Sequence, residues 1–198
     1  LQGIIGSAEL LESGMVKQED TARFVGHIRK EASRLVNLIE DIIRLSQLDE
    51  GVELPTEPVD MLAIAEDVKA ILDASAAEKN VTVHVTGSGF RVEGVRRMLH
   101  EVVYNLCDNA IKYNVPGGSV TIHVENNCLT VRDTGIGIPA EHQDRIFERF
   151  YRVDKSHSKA SGGTGLGLSI VKHAAAYHNA QVCLESTPGK GTAITIQF

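Results

Sequence analysis

The chain has 198 residues, a formal net charge of -6, 42% hydrophobic residues and 23% charged ones. That balance describes a globular protein of one large or two small domains. It excludes a general nucleic-acid binder, whose footprint would be basic. No uninterrupted apolar run approaches the roughly 20 residues that cross a bilayer, and no signal-peptide pattern opens the chain, so no membrane contact by this chain is expected. Cys107, Cys128 and Cys183 show no CxxC or Cys/His metal spacing and are expected to be buried, reduced thiols in a cytosolic setting. There is no initiator Met, and the chain is expected to begin inside a longer protein.

Leu1 to Leu11 (LQGIIGSAELL) has Ile4, Ala8 and Leu11 along one side, as in the tail of a helix, and Ser13-Gly14 breaks it. A second helix is predicted from about Glu19 to Leu48. Its Ile28, Ala32, Leu35, Ile39 and Ile42 step by 4, 3, 4 and 3, the seam of a helical bundle. Val25, Val36, Leu38 and Ile43 widen the stripe toward that of a four-helix bundle. One full helix and a stub cannot complete such a bundle, so homodimerisation through this partial hairpin, residues 1–50, is expected. The segment EGVELPTEP from Glu50 holds a Gly and two Pro and predicts a linker over 51–58 into a second domain, 59–198.

That domain opens with an extended piece at Val59. A helix follows over Met61 to Lys79, with Ile64, Val68, Ile71 and Leu72 inward. Val81, Val83 and Val85 alternate with Thr82, His84 and Thr86, as in a half-buried strand. Phe90-Arg91-Val92 is a further short strand. Leu99 to Tyr113 is helical. Two alternating runs, Val120 to Val124 and Leu129 to Asp133, flank Asn126-Asn127 and predict a hairpin. A short helix falls within Pro139 to Phe150, with Ile146, Phe147 and Phe150 as its apolar residues. Arg152 to Gly163 reads as a mobile loop, and a helix opens at Thr164 and runs to about His178. Strands over Gln181 to Ser186 and Thr192 to Phe198 close the chain. Strands interleaved with helices, yet partly joined by hairpins, predict an α/β two-layer sandwich with a mixed sheet. They do not fit a purely parallel one.

Three stretches carry chemistry. On the helix Leu99 to Tyr113, Leu99, Val102, Val103, Leu106 and Ala110 form a core stripe. Glu101, Asn105, Asp108, Asn109 and Lys112 share a separate arc of roughly 100°. Asn is a poor helix former, so two of them one turn apart suggest the polar wall of a site for a metal-bound anion. A solvated face is the plainer alternative. Asp133-Thr-Gly-Ile-Gly-Ile138 ends a strand and places its carboxylate on the strand's apolar side, where it needs a donor such as a purine exocyclic amine. Gly135 and Gly137 let backbone approach a ligand, although a tight turn capped by the Asp also accounts for them. Gly162-Gly-Thr-Gly-Leu-Gly-Leu168 leads into a helix and can offer backbone N–H groups to an anion. It is neither a Walker A sequence nor a dinucleotide fingerprint.

Together, in this order, the stretches resemble the sensor histidine kinases of two-component systems, whose nucleotide domain is shared with gyrase, Hsp90 and MutL. Asn105 to Tyr113 (NLCDNAIKY) resembles their N box, DTGIGI the G1 box, Phe147 to Arg152 (FERFYR) the F box, GTGLGL from Gly163 the G2 box, and Gly189 to Thr192 (GKGT) the closing Gly-rich motif. Arg34 to Ser46 is similar to the second helix of the dimerisation and phosphoacceptor hairpin. The resemblance implies ATP and Mg2+ as cofactors, a homodimer in the intact kinase and a response regulator as partner. It also implies a cytoplasmic domain whose parent is anchored in the cell membrane.

By the same similarity Asn105 would ligate Mg2+ through its amide oxygen. Glu101 would hold a metal-bound water, Asn109 would contact phosphates or ribose, and Lys112 would reach a phosphate. Tyr113 would lie beside adenine. Asp133 would accept from the adenine amine, with Gly135, Gly137 and Ile138 shaping that end and Thr192 lining it. Gly163, Thr164, Gly165, Leu166, Gly167 and Leu168 would cradle the phosphates, and Arg152 would meet the terminal one. Phosphoryl transfer asks the protein for positioning and charge neutralisation more than covalent help.

In that family the phosphorylated His precedes a Pro-Leu pair, and Leu1 matches the final Leu, so the acceptor is expected about six residues upstream. His27 is followed by Ile-Arg-Lys, stands on the wrong helix and reads as a solvated bundle histidine. The chain is therefore expected to bind ATP–Mg2+ without autophosphorylating. Two alternatives are a gyrase- or MutL-like ATPase module, which leaves the bundle seam unexplained, and a degenerate nucleotide-binding docking module.

Overall fold

The computed structural model describes residues 2–49, 54–153 and 164–198, leaving out the side chains at 34, 37, 38 and 40–49. The chain forms two compact units, residues 1–50 and 51–198. The first is a helical hairpin of α1 (Gln2–Glu12) and α2 (Thr21–Asp49), joined through a single 3-10 turn at Gln18–Asp20. Ile28 and Leu35 are half-buried on α2, whereas Val25, Ala32, Val36 and Ile39 stand exposed along one side. Ile5 and Leu10 are exposed on α1. The seam positions Ile42 and Ile43, and Leu38 beside them, lie outside the described side chains. His27 is exposed, with Nδ1 3.3 Å from the Ser7 hydroxyl.

The second unit begins with a ribbon of β1 (Glu57–Asp60) antiparallel to β3 (Arg91–Gly94). Asp60 ends β1 and caps α3 (Met61–Glu78), its carboxylate accepting from the N–H groups of Leu62 at 3.0 Å and Ala63 at 3.1 Å. The main sheet joins β2 (Thr82–Thr86), β4 (Ser119–Glu125), β5 (Cys128–Asp133), β6 (Gln181–Thr187) and β7 (Gly191–Gln197) in the order β2-β4-β5-β7-β6. Among the described strands only β2 and β4 pair in parallel, so the sheet is mixed, as the two hairpins require. Asn126 and Asn127 both take left-handed backbone, φ 52° and 58°, the geometry of a two-residue hairpin turn that follows strand twist.

Helices cover one face of this sheet. α4 (Arg96–Lys112) lies centrally against β4 and β5, flanked by α3 and by α6 (Gly167–Tyr177). Val120, Ile122, Val124, Leu129, Val131, Ile194 and Ile196 point into the layer and meet Leu99, Val102, Val103, Leu106, Ile170 and Val171 there. Each such side chain contributes roughly 1.5–3 kcal/mol by leaving water, which is why the register is firm. The opposite sheet face is polar, with Thr130 and Thr195 hydroxyls paired at 2.9 Å. Among the described residues no helix is long and apolar enough to cross a membrane.

Four expectations need correction. Ile71 is exposed, because α3 buries Ile64, Ala65, Val68, Leu72 and Ala76 and position 71 falls beside that arc. The last helix starts at Gly167 rather than Thr164, since Gly165 at φ 77° cannot belong to a right-handed helix. The short helix α5 occupies only Ala140–Gln143, and Phe150 is exposed, with φ 63°. Of the cysteines only Cys107 is buried; Cys183 sits on the outer sheet face and is exposed. Burial, with Asp108 nearby, pushes the Cys107 thiol up to about 12, which makes it inert. The loop expected over 152–163 lies, from 154 onward, outside the described residues.

Candidate functional site

The helical period of α4 that buries its apolar stripe leaves Glu101, Asn105, Asp108, Asn109 and Lys112 half-buried along one side. Asn105 Nδ2 donates to the Glu101 carbonyl at 2.9 Å, a bond that fixes its rotamer. A Cβ on Gly167 would come within 2.9 Å of the Asn105 Oδ1, so the first residue of α6 is glycine where the amide oxygen stands. The motif before α6 and the amide wall of α4 thus meet directly. Lys112 forms an ion pair with Asp108 on the same helix, and its carbonyl accepts from Lys79 Nζ at 2.9 Å. Asn109 lies one turn beyond Asn105.

Asp133 follows Leu129 and Val131 on the helix-facing side of β5. Its Oδ1 accepts from the N–H groups of Gly135 at 2.8 Å and Thr192 at 3.2 Å. Its Oδ2 has no hydrogen-bond partner among the described residues. Burial pushes this carboxyl above its ordinary value, while the two N–H donors pull the other way. The result is a carboxylate with one oxygen satisfied and the other open for a donor.

The backbone after Asp133 is braced on two sides. Ile136 N donates to the Tyr113 carbonyl at 3.1 Å, and a Cβ on Gly135 would lie 2.3 Å from that oxygen. Gly137, at φ 68°, presses on β6, where a Cβ would lie 2.2 Å from the Thr187 carbonyl. The Tyr113 side chain itself is exposed at the end of α4. Ile138 N donates to Ser186 Oγ at 2.8 Å, and that hydroxyl lies 2.8 Å from Thr192 Oγ1. Gln143 Nε2 donates to the carbonyls of Ile138 at 2.9 Å and Ser186 at 3.1 Å.

At the other end, the Thr164 hydroxyl accepts from Leu166 N at 3.3 Å, and the Gly165 carbonyl accepts from Phe150 N at 2.9 Å. Leu166 is buried and anchors the turn, while Gly167 and Leu168, both half-buried, open α6 with their N–H groups at its positive end. Arg152 is half-buried just before the undescribed segment, and Gly163 lies inside it. α4 therefore forms one wall, from Asn105 beside the glycine turn to Tyr113 beside the Asp133 turn, roughly 12 Å along the helix axis.

Ser186 and Gln143 were not anticipated. Ser186 had a signal: it continues the inward positions Val182 and Leu184 on β6 with a polar side chain, opposite Thr192. Gln143 had none, because its role depends on where α5 docks.

A family model for the histidine kinase-, DNA gyrase B- and HSP90-like ATPases matches residues 94–198, and the chain belongs to that family. Residues 1–51 match the His Kinase A (phospho-acceptor) domain, which joins the ATPase unit to a kinase-type hairpin. The sensor-like histidine kinase SenX3 of Mycolicibacterium smegmatis is 36% identical over 204 residues, covering 98% of this chain and 53% of that protein. A solved mycobacterial sensor histidine kinase, MprB, is 30% identical with a TM-score of 0.61, over 71% of this chain and 95% of that one. The histidine kinase AdeS of Acinetobacter baumannii shares the fold at a TM-score of 0.78 and 23% identity, over 98% of this chain and 92% of that one. The chain spans about half the length of the SenX3 relative. The site therefore belongs to an ATP-binding domain of the histidine kinase type.

Proposed function

We propose that the chain is the catalytic core of a two-component sensor histidine kinase, which transfers the terminal phosphoryl group of ATP to a hairpin His and thence to an Asp of a response regulator. The observation that carries the nucleotide reading is the half-satisfied Asp133 carboxylate, held by Gly135 and Thr192 with Oδ2 open. That oxygen would accept from the adenine amine, with Gly137, Ile138 and Thr192 around the base and Tyr113 beside it. Thr164 through Leu168 would hold phosphates by backbone N–H groups and the dipole of α6. Arg152 would neutralise the terminal phosphate, and Asn109 would contact phosphate or ribose. Lys112 would have to exchange Asp108 for a phosphate.

Mg2+ takes oxygen ligands, keeps several waters and is completed by phosphates. The Asn105 amide oxygen beside the glycine turn suits that donor set, with Glu101 holding a metal-bound water. When bound, the ion neutralises developing phosphate charge. Asn105→Ala should lose about tenfold of ATP affinity in Mg2+ and nothing when the ion is chelated. Calorimetric titration under both conditions checks this, and an equal loss in both would remove Asn105 from the metal.

The same proposal assigns the exposed row Val25, Ala32, Val36 and Ile39 to a four-helix dimer interface. Sedimentation should give twice the 21.5 kDa mass, and Ile39→Glu should raise the dimer dissociation constant by about 100-fold by burying a charge. A monomer in the native chain would reject this interface. His27, on α2 and followed by Ile-Arg-Lys, is not the acceptor in this reading, and the chain is a cytoplasmic portion of a membrane-anchored sensor.

A further inference from the structure

Residues 142–151 hold a cluster that the nucleotide reading leaves unused. The Tyr151 hydroxyl and His142 Nδ1 share a hydrogen bond of 2.7 Å. The Arg145 guanidinium lies 4.3 Å over the centre of the Tyr151 ring and is paired with the Glu148 carboxylate at 3.3 Å. Tyr151 N also donates to the Glu148 carbonyl at 3.3 Å. The tyrosine is thus gripped at its tip, its face and its backbone.

One residue earlier, Phe150 holds φ 63°, a conformation unfavourable for a side chain branched into a ring. Its ring is exposed, so core packing does not support the strain. The support comes from the Phe150 N–H on the Gly165 carbonyl at 2.9 Å and from the Tyr151 clamp. A Cβ on Gly165 would lie 3.0 Å from Phe150 Cα and 3.1 Å from the Tyr151 carbonyl oxygen, so this backbone is pressed onto the glycine turn before α6.

Arg152 is the next residue. A long arginine must surrender rotamer freedom to meet one phosphate oxygen, and a fixed point of departure lowers that cost. We propose that His142 is a positioning residue: through Tyr151 it fixes where Arg152 leaves the Gly165 turn, and so aims it at the terminal phosphate of the nucleotide. The inference rests on the reading of Arg152 as the terminal-phosphate ligand. His142 touches no nucleotide atom in this scheme and acts only through the tyrosine.

ATP and ADP differ by that phosphate, so the ratio of their affinities reads the contact. Both nucleotides, with Mg2+, are titrated calorimetrically into the native chain, His142→Ala, Tyr151→Phe, His142→Asn, Arg152→Ala and the His142→Ala/Arg152→Ala pair. His142→Ala and Tyr151→Phe should each cut the preference for ATP by roughly five- to tenfold, the scale of one hydrogen bond, with ADP affinity unchanged. His142→Asn, which keeps a polar atom near the place of Nδ1, should restore most of it. Arg152→Ala should cut it furthest, and adding His142→Ala should then change nothing more. Equal losses for ATP and ADP would make His142 merely structural and overturn the proposal. An intact ratio in His142→Ala beside a collapsed one in Arg152→Ala would overturn it alone. An intact ratio in Arg152→Ala would overturn the arginine's assignment and the proposal with it.

Discussion

Asp133→Asn should bind ATP about 100-fold more weakly than the native chain at pH 7, a loss of about 3 kcal/mol, while melting at an equal or higher temperature. The amide oxygen of the variant can still accept from Gly135 N and Thr192 N, so the turn keeps both bonds now made at 2.8 and 3.2 Å. What changes is the second position, where an acceptor becomes an NH2 donor facing the donor amine of the base.

Stability moves the other way. Burial raises the Asp133 carboxyl in the folded chain above its ordinary value. The unfolded chain therefore releases this proton first, and ionisation costs the folded state stability as pH climbs from the ordinary carboxylate range through the raised folded value. Asn carries no such penalty. The melting-temperature difference between variant and native chain should shrink as pH falls through the ordinary carboxylate range, below which both states hold the proton. Calorimetry at pH 4 and 7 with ATP titration checks both halves, and a variant that melts lower yet binds normally would refute the assignment.

Gly191→Ala should be the most damaging small substitution in the closing motif. Gly191 holds φ 105°, which strains any L side chain, and a Cβ there would lie 2.0 Å from the Asp133 carbonyl oxygen. Neither obstacle can be relieved by a rotamer change, since the obstructing atom is backbone in β5. Strain of about 1–3 kcal/mol from the dihedral and a similar cost from overpacking should together lower stability by about 4 kcal/mol. ATP binding should fall too, because Thr192 N can no longer reach Asp133 Oδ1. Gly189, whose Cβ would meet open space although its φ is 75°, is the control and should lose only the dihedral share. Urea denaturation of the two variants separates the terms.

Much of this architecture was legible because local and global signals agree. Asn126-Asn127 between alternating runs could only be a hairpin, and the arc of α4 separated core from site before any contact was known. The juxtapositions of Asn105 with Gly167 and of Asp133 with Thr192 come instead from the packing of α6 on α4 and of β7 beside β5, which motif order does not supply. What stayed hidden depends on tertiary docking. Ile71 satisfies the helical period yet faces outward, because α3 needs only one narrow arc against β2 and α4. Phe150 reads as an apolar helix residue, but its backbone is bent by Gly165, fifteen positions later in the chain. The Ser186–Ile138–Gln143 bonds join three elements whose contacts no periodicity encodes.

The cross-bracing around Asp133 has a consequence for the order of recognition. Its donors are the N–H groups of Gly135, in its own turn, and Thr192, in β7, and the turn is propped on the carbonyls of Tyr113, just past α4, and Thr187, in β6, all in place before any ligand arrives. On the proposed assignment, reading the base would therefore be a property of the resting protein, closer to a mould than to a grip. In the same proposal the opposite end would rely on the backbone of a helix start, one amide and an arginine, which would respond to the number of phosphates delivered. In that proposal, identity would be checked by a carboxylate set in rigid backbone and phosphate number by the far end, so the two discriminations should be altered by separate mutations.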